Sequence, residues 1–125
     1  MVKQSEKLLK EWVSRLGLLD WRIKLRDDMN PEDMTLSDVS GCTTWNESIK
    51  CALIEIVNPK YYGDRIVPFD YEKTLVHELL HIKTSFLTDG VGELQERVGH
   101  QMIDDLARAF VDAKRSGDRN ADTNN

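Results

Sequence analysis

Apolar residues fall at helical spacing near the start of the chain. Leu8, Leu9, Trp12, Val13 and Leu16 share one face, lysines and glutamates fill the other, and Gly17 marks a stop. The pattern predicts an amphipathic helix over about Ser5 to Leu16. Trp21-Arg22-Ile23-Lys24-Leu25-Arg26 then alternates strictly, which predicts a strand with Trp21, Ile23 and Leu25 inward. The basic residues between them read as a solvated sheet face rather than a binding surface. Asp27 to Ser40 is polar, lacks periodicity and reads as a loop. Gly41 to Trp45 and Ser48 to Val57 predict a hairpin, its second arm rich in β-branched residues. A two-residue turn at Asn46-Glu47 would set Cys42 opposite Cys51, but the favoured glycine is missing and other registers stay open.

Asn58-Pro59 ends the second arm, and a connection covers Tyr61 to Pro68. Asp70 can cap a helix over about Tyr71 to Phe86, in which Leu75, Val76, Leu79, Leu80, Ile82 and Phe86 predict burial. Asp89-Gly90 breaks the chain. A last helix over about Val91 to Lys114 carries Leu94, Val98, Met102, Ile103, Leu106, Ala107 and Phe110. From Ser116 onward the polar tail has nothing to bury and is predicted to be disordered. The expectation is one α+β domain over residues 1–115 with a tail at 116–125. It would hold an N-terminal helix, a small and mostly antiparallel sheet, and two further helices.

Composition adds exclusions. A chain of 125 residues, 40% hydrophobic and 31% charged, fits one globular domain without staples. Its net charge of −5 disfavours nucleic acid or an anionic membrane as main partner. Residues Met1 to Lys7 contain no apolar core for a signal peptide, and no apolar run can span a bilayer, so a cytoplasmic location is expected. Cys42 and Cys51 are too few for a disulfide framework and match no zinc spacing; reduced cysteines in a sheet are expected.

The chemistry concentrates at His77-Glu78-Leu79-Leu80-His81. On a helix, residues four apart stand one turn above each other, so His77 and His81 can point imidazoles at one ion. Catalytic zinc takes three protein ligands plus a water. Glu78, one residue round from His77, can reach that water as general base and pass the proton to a leaving amine. The pentapeptide recurs by chance, but here it lies in a helix patterned for burial, where two histidines need a partner. It also holds two of the three histidines in the chain. For the third ligand, Glu93, Glu96 and His100 on the last helix are candidates. His100 and Glu96 share a face, Gly92 and Gly99 lie nearby to allow close helix approach, and the choice stays open with His100 preferred. The losing residue can instead orient a ligand ring. Two softer features complete the set. An exposed edge on Ala52 to Val57 could pair with an extended peptide, or the strand could be purely structural. Tyr61 or Tyr62 could steady an oxyanion, though packing accounts for them more simply.

Through Glu72-Lys73-Thr74-Leu75-Val76-His77-Glu78-Leu79-Leu80-His81-Ile82 and Ile103-Asp104-Asp105-Leu106-Ala107-Arg108-Ala109-Phe110, the sequence resembles the zincins. Within them it is similar to short phage- and prophage-encoded metallopeptidase-like proteins. The resemblance implies a compact zincin core: a few-stranded sheet, an active-site helix and a following helix that supplies the third ligand. In gluzincin-type members that ligand is a glutamate; this chain has His100 there, with Glu96 one turn before it. The implied activity is a zinc-dependent metallopeptidase acting on a peptide or protein substrate. A zinc endoribonuclease of H-x-x-x-H-x-x-x-x-x-H type is disfavoured, because the sixth residue after His81 is Leu87. A non-catalytic zinc-containing binding or regulatory module of phage origin is the remaining alternative, because so small a domain offers little room for a deep cleft. Glu78 argues against it, since a structural site has no use for a carboxylate beside the ion.

Overall fold

A computed structural model describes residues 3–36, 39–63, 65–88 and 90–123. Parts of five sequence expectations fall outside these residues: positions 1–2 of the N-terminal segment, 37–38 of the polar loop, 64 of the Tyr61 to Pro68 connection, 89 of the chain break, and 124–125 of the tail. The elements are α1 (Gln4–Arg15), β1 (Arg22–Met29), β2 (Gly41–Asn46), β3 (Cys51–Val57), α2 (Tyr71–Lys83), α3 (Ser85–Thr88) and α4 (Glu93–Thr123). Short 3-10 turns occupy Pro31–Asp33 and Pro59–Tyr61. The α+β class is as expected.

The sheet order is β1-β3-β2, with β1 parallel and β2 antiparallel to β3. It is therefore mixed rather than mostly antiparallel, because the long connection after β1 returns the chain to the same end of the sheet. The hairpin also differs from the two-residue reading. Asn46 pairs with Cys51 across a loop of residues 47–50, and Cys42 pairs with Glu55. The Asn46 carboxamide accepts from the Ser48 N–H at 3.0 Å and Lys50 adopts φ 51°, so the local turn chemistry favours a longer loop. The two cysteines are both free.

One core joins the layers. Ile54 and Ile56 of β3, Leu75, Val76 and Leu79 of α2, and Ile103 and Val111 of α4 are fully enclosed. Each such side chain contributes about 1.5–3 kcal/mol relative to exposure. Asp70 caps α2 as expected, accepting from the Lys73 N–H at 3.1 Å. That helix ends early, at Lys83, not at Phe86. The Thr84 hydroxyl bonds the Leu80 carbonyl and the Ser85 hydroxyl bonds the Ile82 carbonyl, competing with the backbone ladder. Phe86 consequently lies on α3 and is exposed.

The inward face of α4 is Ile103, Ala107 and Val111, spaced by four; Leu94, Val98, Met102 and Phe110 are exposed instead of packed. The sequence stripe mixed two faces of one helix, and contact with α2 selects only one of them. The helix also continues to Thr123, through most of the segment read as a tail. A helix already nucleated and anchored at Val111 extends by single residues at little cost. Among the described residues no helix is long and apolar enough to cross a membrane.

A buried polar knot ties the three long helices together. The carboxylate of Glu72 accepts from the Trp12 indole at 2.8 Å and from the Lys114 ammonium. Arg115 grips the Asp70 carboxylate with two bonds of 2.7 and 3.0 Å. That grip holds the Asp70 carboxyl below its ordinary range. Burial pushes Glu72 upward, but Lys114 and Trp12 outweigh it and the net direction is down. A carboxyl depressed in the folded state stabilises the fold above its unfolded value and loses that contribution as pH falls through the folded one. Arg115→Ala is expected to cost about 1 kcal/mol at neutral pH, the pair being partly solvent-screened. The gap from wild type should narrow as pH falls below the ordinary carboxyl value and through the lowered Asp70 value. Denaturant midpoints of both proteins across pH 7 to 2 check this; a gap unchanged at low pH contradicts it.

Candidate metal centre

Helix α2 packs on β2 and β3 with one side and on α4 with another. Successive helical residues point about 100° apart, so neighbours in sequence serve different layers. His77 and His81 turn toward α4, while Glu78 turns toward β2. On α4, His100 completes a cluster in which one nitrogen of each of the three rings lies within 4.8 Å of the others. Ring centroids are 4.8–5.4 Å apart. The closest approach is His77 Nε2 to His100 Nε2, at 3.2 Å. Two nitrogens bound to one tetrahedral zinc at ~2.0–2.1 Å stand roughly 3.3 Å apart, which the His77–His100 pair matches; the three rings together could hold a metal ion.

Glu96 lies one turn before His100 and borders the same cleft, but its carboxylate is not part of the cluster. Glu93 is exposed at the start of α4 and does not border the cleft. The small residues play no part in bringing the helices together at Gly92, where an added Cβ would meet only the Gln95 side chain.

Burial, then the neighbouring His100, lowers the His77 pKa against the opposing pull of Asp104. Burial, then His77 and His100, takes His81 down to about 4. Both imidazoles are therefore neutral near pH 7, the form that binds a metal. His77 Nδ1 is 3.3 Å from Asp104 Oδ1, so the carboxylate can accept its N–H and leave Nε2 facing the cluster.

Glu78 is almost wholly enclosed, and burial raises its pKa to about 7 despite a hydrogen bond from Thr43. The Thr43 hydroxyl reaches Glu78 Oε1 at 2.7 Å. Beside it the strand carries Gly41, where an added Cβ would lie 3.0 Å from both Glu78 Oε2 and Thr74 Cγ2. A side chain there would press directly on the carboxylate.

These groups open on a cleft of about 930 Å³. Part of its lining is apolar, with Leu36, Val39, Val67 and Phe69. Neither tyrosine is a free phenol at the site. Tyr62 borders the cleft but donates its hydroxyl to the Val67 carbonyl at 2.7 Å, and Tyr61 is exposed under Lys60. The expected peptide-pairing edge also moves. β3 is the central strand, bonded on both sides, and the free edge beside the cleft belongs to β2.

Sequence reading missed Asp104, Thr43 and Gly41. Asp104 follows His100 by four positions, so their common face was available from helical periodicity. Thr43 and Gly41 meet Glu78 only through the packing of α2 on β2, for which no local signal exists. Comparison of the chain with protein-family models, curated proteins and solved structures finds no match.

Gly41→Ala is expected to destabilise the protein by about 1–3 kcal/mol through overpacking against Glu78 and Thr74. Equilibrium denaturation measures the loss; a midpoint equal to wild type would show that the strand can shift away freely.

Proposed function

We propose that this chain is a zinc-dependent metallopeptidase in which His77, His81 and His100 hold the ion and Glu78 is the general base. The observation that carries the reading is the buried Glu78 carboxylate, with a pKa of about 7, one residue from His77 in a cluster of three imidazoles within 4.8 Å of one another. A carboxylate poised near working pH suits proton transfer and is costly to keep in a purely structural site. Zinc held there would supply Lewis acidity toward water and a carbonyl oxygen.

The residues of the chain do the rest. Glu78 takes a proton from the attacking water and delivers it to the departing amine. Thr43 fixes Oε1, so the carboxylate keeps one orientation through both transfers. Asp104 sets the tautomer of His77. Edge strand β2 offers unpaired main-chain groups along the cleft, on which an extended peptide can form a ladder. The non-catalytic alternative drew support from the expected lack of room; a cleft of about 930 Å³ weighs against it.

The purified protein is expected to retain one zinc per chain. His77→Ala, His81→Ala and His100→Ala should lose it, whereas Glu96→Ala keeps it. Asp104→Ala should weaken zinc affinity about 10–100-fold. Glu78→Gln should stay zinc-loaded while peptide hydrolysis drops at least about a hundredfold. Metal analysis and a peptide-library digest check these outcomes. Undiminished cleavage by Glu78→Gln would remove the assigned base, and zinc retention by all three histidine variants would remove the centre.

A further inference from the structure

We infer that the cleft accepts an internal, apolar stretch of polypeptide, with a large aliphatic or aromatic side chain beside the reacting carbonyl. This rests on the hydrolase reading and adds the substrate class. Leu36, Val39, Tyr62, Val67 and Phe69 form an apolar part of the cleft lining. Leu36 and Val67 are 57% and 67% exposed, so this surface is open to solvent as it stands. The phenol of Tyr62 is occupied by the Val67 carbonyl and its ring packs tilted on Phe69 at 5.2 Å, which leaves the ring as apolar surface. Covering such a surface with an apolar side chain removes hydrocarbon from water on both partners.

The charges facing the cleft point the same way. Lys73 is paired with Asp112 at 3.2 Å. Arg108 is held by Asp104 and Asp105 on its own helix. Asp70 is taken by Arg115. Among the described residues, each cationic side chain bordering the cleft already has an acidic partner on α4. Glu96, the remaining exposed charge at the His100 end, repels a terminal carboxylate or an acidic side chain. An acidic side chain laid on the apolar part of the cleft, away from the ion, would lose its water without gaining a new partner. The open edge of β2 needs only main chain, which any internal segment supplies.

The test uses decapeptides acetylated at one end and amidated at the other, with either Leu-Phe or Asp-Asp at the centre, labelled for fluorescence anisotropy. Zinc-loaded Glu78→Gln is expected to bind the Leu-Phe peptide at least about tenfold more tightly than the Asp-Asp peptide. Val67→Asp, on the exposed rim, should erase that preference, whereas Leu19→Asp, outside the cleft and also exposed, should keep it. Equal binding of the two peptides, or binding only of peptides with a free carboxylate, overturns the inference. Selective binding without turnover by wild type would overturn the hydrolase reading and leave the recognition standing. Turnover indifferent to side chain would do the reverse.

Discussion

The burial of α2 between the sheet and α4 is the constraint on which the other features depend. Its apolar residues must fill two interfaces at once, and Leu75, Val76 and Leu79 are wholly enclosed in doing so. Polar residues on such a helix cannot escape to water. They are carried into the interfaces, where each needs a partner or a changed protonation state. His77 and His81 meet His100 at the α4 side, and Glu78 meets Thr43 at the β2 side. One buried helix thereby generates both halves of the site.

The same constraint sets the electrostatics. Withdrawal from water disfavours charge on every member, which lowers the two histidines and raises the glutamate. At neutral pH His77 and His81 are uncharged beside a carboxyl near its midpoint. The three-histidine cluster could hold a metal ion, which would give each imidazole lone pair a ligand bond. The remaining polar groups of the helix start are handled differently. Glu72 and Asp70 stay ionised because Lys114 and Arg115 come to them. These ties also fix α4 relative to α2, and so hold His100 in place from about four turns further along.

Much of this was legible from residue order. Periodicity located all the strands and the long helices, and the i, i+4 histidines stood out because helical geometry is local. His100 could be named as a candidate for the same reason, yet nothing local separated it from Glu96, which shares its face; how far along α4 the cluster falls depends on the axial position of α4 against α2, which Ile103, Ala107 and Val111 fix through tertiary contact. The errors share this character. The hairpin register turned on how Asn46 and Lys50 shape a four-residue loop. The placement of β3 at the centre depended on β1 returning alongside it in parallel, across a long connection with no periodic signal. The Glu78–Thr43–Gly41 contact spans 35 residues and exists only after both are settled.

The central claim is that three imidazoles and no carboxylate of the chain bind one zinc ion. X-ray absorption at the zinc edge of the zinc-loaded protein tests it most directly. The expected spectrum shows four light ligands at about 2.0–2.1 Å, with multiple-scattering features from three imidazoles. A spectrum with two imidazoles and a protein carboxylate that vanishes in Glu96→Ala, or one of a hydrated ion without imidazole scattering, would contradict it.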